Sequence, residues 1–73
     1  EMIFISAGFD AHREDDMGQL GLVEQDYAWI TMRMKDMAKR FSQGRIVSCL
    51  EGGYNPNALA RSVEAHLRVL VDV

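Results

Sequence analysis

Two short apolar runs and two amphipathic stretches alternate along the chain. Met2-Ile3-Phe4-Ile5 is closed by Ser6-Ala7-Gly8, and Arg45-Ile46-Val47-Ser48-Cys49-Leu50 is closed by Gly52-Gly53. Short apolar runs bounded by glycine read as strands. Between them, Tyr27, Ile30, Met34, Met37 and Phe41 recur at alternating spacings of three and four. That spacing predicts one apolar stripe on a helix from about Val23 to Gln43, with Gly44 as its stop. Val23 stands where Ser, Thr or Asp ordinarily caps, although Glu24 and Asp26 suit the positive end of the helix dipole. The last stretch is better marked. Asn55 is a capping residue, Pro56 fits a first helical position, and Leu59, Val63, His66 or Leu67, and Leu70 share one face. A second helix is therefore predicted over Pro56 to about Val71.

Strand, long loop, helix, strand, short loop, helix is the repeating order of a parallel α/β sheet. Neither apolar run alternates with polar residues, so both strands call for cover on two faces. Two strands and two helices cannot supply that cover, and they leave sheet edges unpaired. The expectation is an α/β fold in which this βαβα segment, residues 1–73, belongs to one larger parallel-sheet domain with strands missing on at least one side. The opening of the chain, an apolar run directly after Glu1, agrees with that expectation. Trp29 and Met32 lie off the main stripe and are expected to face the remainder of the domain.

Composition narrows the function classes. The chain has 73 residues, 48% of them hydrophobic, and a chain this short buries only about 60% of its unfolded surface. Eight basic side chains against eleven acidic ones leave a net charge of −3. The largest basic cluster is the pair Lys39-Arg40, which argues against a nucleic-acid face. No apolar run approaches the ~18 residues of a membrane span, and no basic-then-apolar leader opens the chain. A soluble, cytoplasmic protein is expected. Cys49 is the single cysteine, so an internal disulfide is excluded, and the absence of CxxC and HExxH patterns leaves no complete metal site. Placed inside a strand, Cys49 reads as an inert buried thiol.

Ligands of open parallel sheets bind beyond the carboxyl ends of the strands. Two loops leave those ends, one from about Ser6 to Leu22 and the other Glu51-Gly52-Gly53-Tyr54-Asn55, and neighbouring strands bring both to one rim. The first is long for a strand-to-helix connection, and loops of that length are commonly functional. Its Glu14-Asp15-Asp16 triplet is either a solvated acidic loop or the source of a carboxylate ligand for a hard or borderline cation. Asp10-Ala11-His12 contains ligand residue types, but two residues do not make a site, and His12 reads as a surface residue. In Gly52-Gly53-Tyr54 the glycines permit close backbone approach or a positive φ beside a presented tyrosine. The plainer alternative is a tyrosine packed on the sheet edge with its hydroxyl in water. A phenol held beside a metal can donate to a carbonyl oxygen as that oxygen gains charge. The glycines fit neither GxGxxG nor a P-loop, which disfavours phosphate cradling and a nucleotide-binding reading. His66, near the apolar face of the last helix, reads as a core-edge histidine.

Three stretches together carry a family resemblance: Ile5-Ser6-Ala7-Gly8-Phe9-Asp10-Ala11-His12, Asp15-Asp16-Met17-Gly18, and Leu50-Glu51-Gly52-Gly53-Tyr54-Asn55. The chain resembles, over essentially its whole length, the C-terminal part of the zinc-dependent histone deacetylase superfamily. The resemblance is nearest to its bacterial members: histone-deacetylase-like amidohydrolases, acetylpolyamine amidohydrolases and acetoin-utilisation proteins. It implies an arginase-like α/β fold and zinc-dependent hydrolysis of acetyl-lysine or a similar acyl-amide. In that family zinc is held by an Asp-x-His pair and a second Asp, in a loop ending Asp-Pro-Leu-Gly. By spacing to Gly18 the second Asp falls on Asp15. Asp16 stands where Pro is common and is the other candidate. The tyrosine that polarises the scissile carbonyl with zinc falls on Tyr54, and Gly52 and Gly53 shape the substrate-side loop that presents it. The Asp-x-His pair and the paired base histidines belong upstream of these residues, and Asp10-Ala11-His12 does not match that ligand pair.

The resemblance therefore implies a segment that contributes Asp15 and Tyr54 to a Zn2+ amidohydrolase while the other ligands lie outside it. The isolated 73 residues are expected to be inactive and to hold no tight zinc. The expected substrates are an acylated lysine peptide or an acetylpolyamine, with no nucleic acid and no membrane. The rest of the parent domain, or self-association, is expected to cover the apolar faces. The alternative is a non-catalytic relative or an interaction module.

Overall fold

The computed structural model describes residues 1–18 and 20–71. Its elements are β1 (Ile3–Gly8), α1 (Glu24–Phe41), β2 (Ile46–Gly52) and α2 (Pro56–Val71). The strands pair in parallel, Ile3 with Ile46 through Ala7 with Leu50, and an irregularity then sets Gly8 against Gly52. The predicted βαβα order and parallel pairing are thus both present. Each strand runs beyond its apolar stretch because backbone pairing, not side-chain hydrophobicity, carries the ladder to the glycines. α1 starts without a capping side chain; instead the Asp26 carboxylate, three residues in, accepts the Val23 N–H at 2.8 Å. Its end is tighter than predicted. The N–H groups of Ser42 and Gly44 return to the Ala38 carbonyl at 2.8 and 2.9 Å. Gln43 and Gly44 then turn through positive φ. α2 has the predicted bounds, and Asn55 Oδ1 caps it by accepting the Ala58 N–H at 2.9 Å.

Both helices cover one face of the two-stranded sheet. Ile5, Ala7 and Phe9 from β1 and its exit pack with Tyr27 of α1 and with Leu59 and Val63 of α2. The Phe9 and Tyr27 rings lie 5.0 Å apart at their centroids, a favourable tilted contact. His66 ties the layers together through Thr31 of α1 and Ser48 of β2. The opposite face is bare: Phe4 is 73% exposed, and Val47 and Cys49 are exposed with it. Cys49 is therefore not the buried thiol expected, because alternation along β2 turns it away from the helices.

The helix stripe is also corrected. The buried residues of α1 are Tyr27, Thr31 and Ala38, whereas Ile30, Met37 and Phe41 are exposed. Those of α2 are Ala58, Ser62 and His66, with Leu67 exposed. Small and polar side chains occupy the helix contact, and the large apolar ones flank it. Trp29 and Met32 are exposed as well. Among the described residues no helix is long and apolar enough to cross a membrane.

Candidate functional site

The carboxyl ends of β1 and β2 are joined by the Phe9 N–H donating to the Gly52 carbonyl at 2.8 Å. From there the β1 loop closes on itself rather than wandering. Leu22 N–H reaches the Ala11 carbonyl at 3.0 Å, Arg13 N–H reaches the Leu22 carbonyl at 2.8 Å, and His12 and Leu22 form an isolated parallel bridge. A long loop whose ends are pinned together is a compact Ω-type element. Gly18 is required inside it: a Cβ there would stand 1.6 Å from the Asp10 carbonyl oxygen.

Both loops meet on one rim, as expected, and Asp15 is the residue that joins them. Asp15 is only 4% exposed. Oδ1 accepts the N–H of Met17 at 2.8 Å and of Gly18 at 3.3 Å, and Oδ2 accepts the N–H of Tyr54 at 2.6 Å. Desolvation opposes its ionisation, but the amides of Tyr54, Met17, Gly18 and Asn55 outweigh it and hold the carboxyl below the usual aspartate value. The metal ligand expected at Asp15 is thus a carboxylate whose oxygens are already occupied by backbone donors. Asp16, the other candidate, is exposed and makes no hydrogen bond or ion pair among the described residues.

Asp10 is differently placed. It leaves the carboxyl end of β1 with its carboxylate over the paired glycines. A Cβ on Gly52 would lie 3.5 Å from Asp10 Cγ, and one on Gly8 would lie 3.4 Å from Oδ1. It is half-buried, with no hydrogen bond or ion pair among the described residues.

The tyrosine is presented as the glycine pair predicts. Gly53 has φ 138, where L residues are strained, and a Cβ on it would meet Leu59 Cδ1 at 2.7 Å. Packed there against the core, Gly53 leaves the Tyr54 side chain 59% exposed on the rim. Asn55 Nδ2 donates to the Glu14 carbonyl at 3.0 Å, a second tie between the loops.

A charged brace under the rim has no sequence signal. His12 is fully buried rather than on the surface. Its Nδ1 accepts the Glu14 N–H at 3.0 Å, which leaves the proton on Nε2 to be donated to Glu24 Oε1 at 2.7 Å. With both ring nitrogens engaged, His12 has no lone pair for a metal. Arg61 grips Glu24 Oε2 at 2.6 Å and Glu14 Oε2 at 2.7 Å. The His12 hydrogen bond, followed by that of Arg61, holds the Glu24 carboxyl at about 2. In the sequence Glu24 is legible only as a first-turn acid.

The residues present fit a share of a metal site and not a whole one. Among the described residues no group of three or more His, Cys, Asp and Glu side chains is placed to hold an ion. Asp10 offers one carboxylate.

Residues 1–70 match the family model for the histone deacetylase domain. The chain belongs to the histone deacetylase domain family. It is 51% identical over 70 residues to type-2 histone deacetylase 1 of Dictyostelium discoideum, covering 96% of this chain and 5% of that protein. It is 40% identical over 70 residues to a probable deacetylase of the archaeon Methanothermobacter thermautotrophicus, covering 96% of this chain and 20% of the relative. The crystal structure of the HDA15 HD domain superposes with a TM-score of 0.88 at 34% identity, over 97% of this chain and 19% of that one. The βαβα arrangement is therefore a deacetylase-domain arrangement. The chain spans about a twentieth of the Dictyostelium deacetylase and about a fifth of the archaeal one.

Proposed function

We propose that these residues form the C-terminal part of a single zinc-dependent deacetylase domain, which in the full-length protein hydrolyses acetyl-lysine or acetylpolyamine-type amides in the cytoplasm. The observation that carries this reading is Tyr54, an exposed phenol on a pinned loop at the carboxyl end of two parallel strands, beside a rim carboxylate without a partner among the described residues. Zinc, when bound, activates water near neutral pH and polarises the acyl oxygen. Tyr54 Oη–H donates to that oxygen as it gains charge, an interaction that strengthens toward the transition state. Gly52 and Gly53 set the loop facing the substrate. Asp10, rather than Asp15 or Asp16, is this chain's carboxylate for the metal, because it has no hydrogen bond or ion pair among the described residues, whereas Asp15 is 4% exposed and already accepts three backbone N–H groups. The remaining ligands and the general base come from outside these residues, so the 73-residue chain alone is inactive. The net charge of −3 suits a cationic acylated substrate.

The test is hydrolysis of an acetyl-lysine peptide by the full-length protein with and without a zinc chelator. Chelator-sensitive turnover is expected. Tyr54→Phe should lower it by about 10²–10³-fold with zinc content unchanged. Asp10→Ala should lose zinc. Failure of folded, zinc-supplemented protein to turn over would point instead to a non-catalytic relative, and zinc loss from Asp16→Ala but not Asp10→Ala would reassign the ligand.

A further inference from the structure

The 2.6 Å hydrogen bond from the Tyr54 amide to Asp15 Oδ2 spans 39 positions of sequence and is the shortest tie between the two rim loops among the described residues. Asp15 accepts it while its other oxygen holds the amides of Met17 and Gly18. One buried carboxylate therefore fixes the turn of the β1 loop and the peptide plane of Tyr54 together. On the far side of that peptide, Gly53 is locked against Leu59 and Phe9. Asn55 is locked by its cap on α2 and its bond to Glu14. The Tyr54 main chain has little freedom left, and its phenol swings from a fixed base.

We propose that Asp15 is a positioning residue for Tyr54: its ionised carboxylate orients the Tyr54 peptide and so sets where the phenol meets the substrate. This rests on the reading of Tyr54 as the carbonyl-polarising group. Ionisation matters because every partner of Asp15 is an N–H donor. An asparagine has one acceptor oxygen, so its amide group must face either the Tyr54 N–H or the two loop amides, donor against donor. Misplacement of a reacting group by about 1 Å can cost about 10²-fold in rate. The loss belongs in kcat more than in KM, because the phenol's hydrogen bond matters most when the acyl oxygen is charged.

The experiment compares wild type, Asp15→Asn and Tyr54→Phe of the full-length protein by zinc content, kcat and KM on an acetyl-lysine peptide, and amide hydrogen exchange across Tyr54. For Asp15→Asn the expected result is full zinc content, kcat lowered by about 10- to 100-fold with KM little changed, and faster exchange at the Tyr54 amide. Tyr54→Phe should lower kcat while leaving that amide protected, because its backbone bond is intact. Zinc loss from Asp15→Asn would make Asp15 a ligand and overturn the proposal, as would an unchanged kcat or unchanged exchange. Wild-type turnover by Tyr54→Phe would remove the catalytic reading and the positioning role with it, whatever Asp15→Asn does. If Asp15→Asn does not fold, exchange in the wild type decides: a slow Tyr54 amide supports the proposal, and one exchanging as an open loop does overturns it.

Discussion

His12 shows how a polar residue in a polar loop comes to be buried. Its ring accepts from the amide of Glu14 and donates to Glu24, so neither nitrogen is left unpaired, and Arg61 neutralises the two glutamates around it. Removing the ring leaves the part-buried Glu14 amide without its acceptor and frees Glu24 from the partner that holds its carboxyl down. His12→Ala is therefore expected to cost about 2–3 kcal/mol, read from urea unfolding of the full-length protein. A loss under about 0.5 kcal/mol, the range of ordinary surface changes, would show that the brace is dispensable. Nothing near His12 in sequence announces this, because its partner Glu24 is twelve positions away and Arg61 much further. Tyr54 was legible for the opposite reason: the glycines that permit its presentation are its immediate neighbours. Asp15 is legible as a candidate carboxylate, but its bond from the Tyr54 N–H across the loops is not, since that donor is a backbone amide, which every residue but proline carries.

At the scale of elements, α2 was read to its bounds because its cap and its first-position proline are local chemistry. The stripe on α1 holds at Tyr27 but misses Thr31 and Ala38, because hydrophobic spacing is blind to a satisfied polar residue. Thr31 is buried where Ile30 is not: its hydroxyl donates to the Tyr27 carbonyl at 2.7 Å and meets His66 Nδ1 at 2.8 Å. With the hydroxyl proton committed to Tyr27, His66 donates from Nδ1, and its Nε2 accepts from Ser48 at 2.8 Å. One neutral imidazole thus links α1, α2 and β2, and burial holds its pKa below the ordinary 6.5. A depressed histidine contributes stability that is complete above about 6.5 and is lost as pH falls toward the folded value, because the unfolded chain takes the proton first. The slope can reach at most about 1.4 kcal/mol per pH unit. Wild type should therefore exceed His66→Gln in stability by most at pH 8, with the gap narrowing below about 6.5 in paired denaturant titrations. A gap constant from pH 8 to 5 would mean that the imidazole keeps its ordinary affinity for protons inside the fold.

At the scale of the whole molecule, the fold class was readable because element order and parallel pairing follow from local pattern, whereas which faces are covered does not. Neither strand alternates in sequence, as suits burial on both sides, yet the helices cover one side and leave Phe4, Val47 and Cys49 on the other. Ile30, Met37 and Phe41 likewise flank the helix contact without cover. The accessible area is 5061 Å², against about 4,600 Å² for a compact monomer of this size. The positions named add exposed apolar surface, and such surface marks an interface or an association hazard. The 73-residue chain alone is accordingly expected to self-associate, with an apparent mass that rises with concentration in sedimentation equilibrium. If these residues are one part of a larger deacetylase domain, as proposed above, a separate chain carrying the rest of that domain should compete with that association by occupying the bare sheet face that a second copy otherwise covers. A strictly monomeric 73-mer with a cooperative melt would show that one layer of helices is enough to stabilise this sheet.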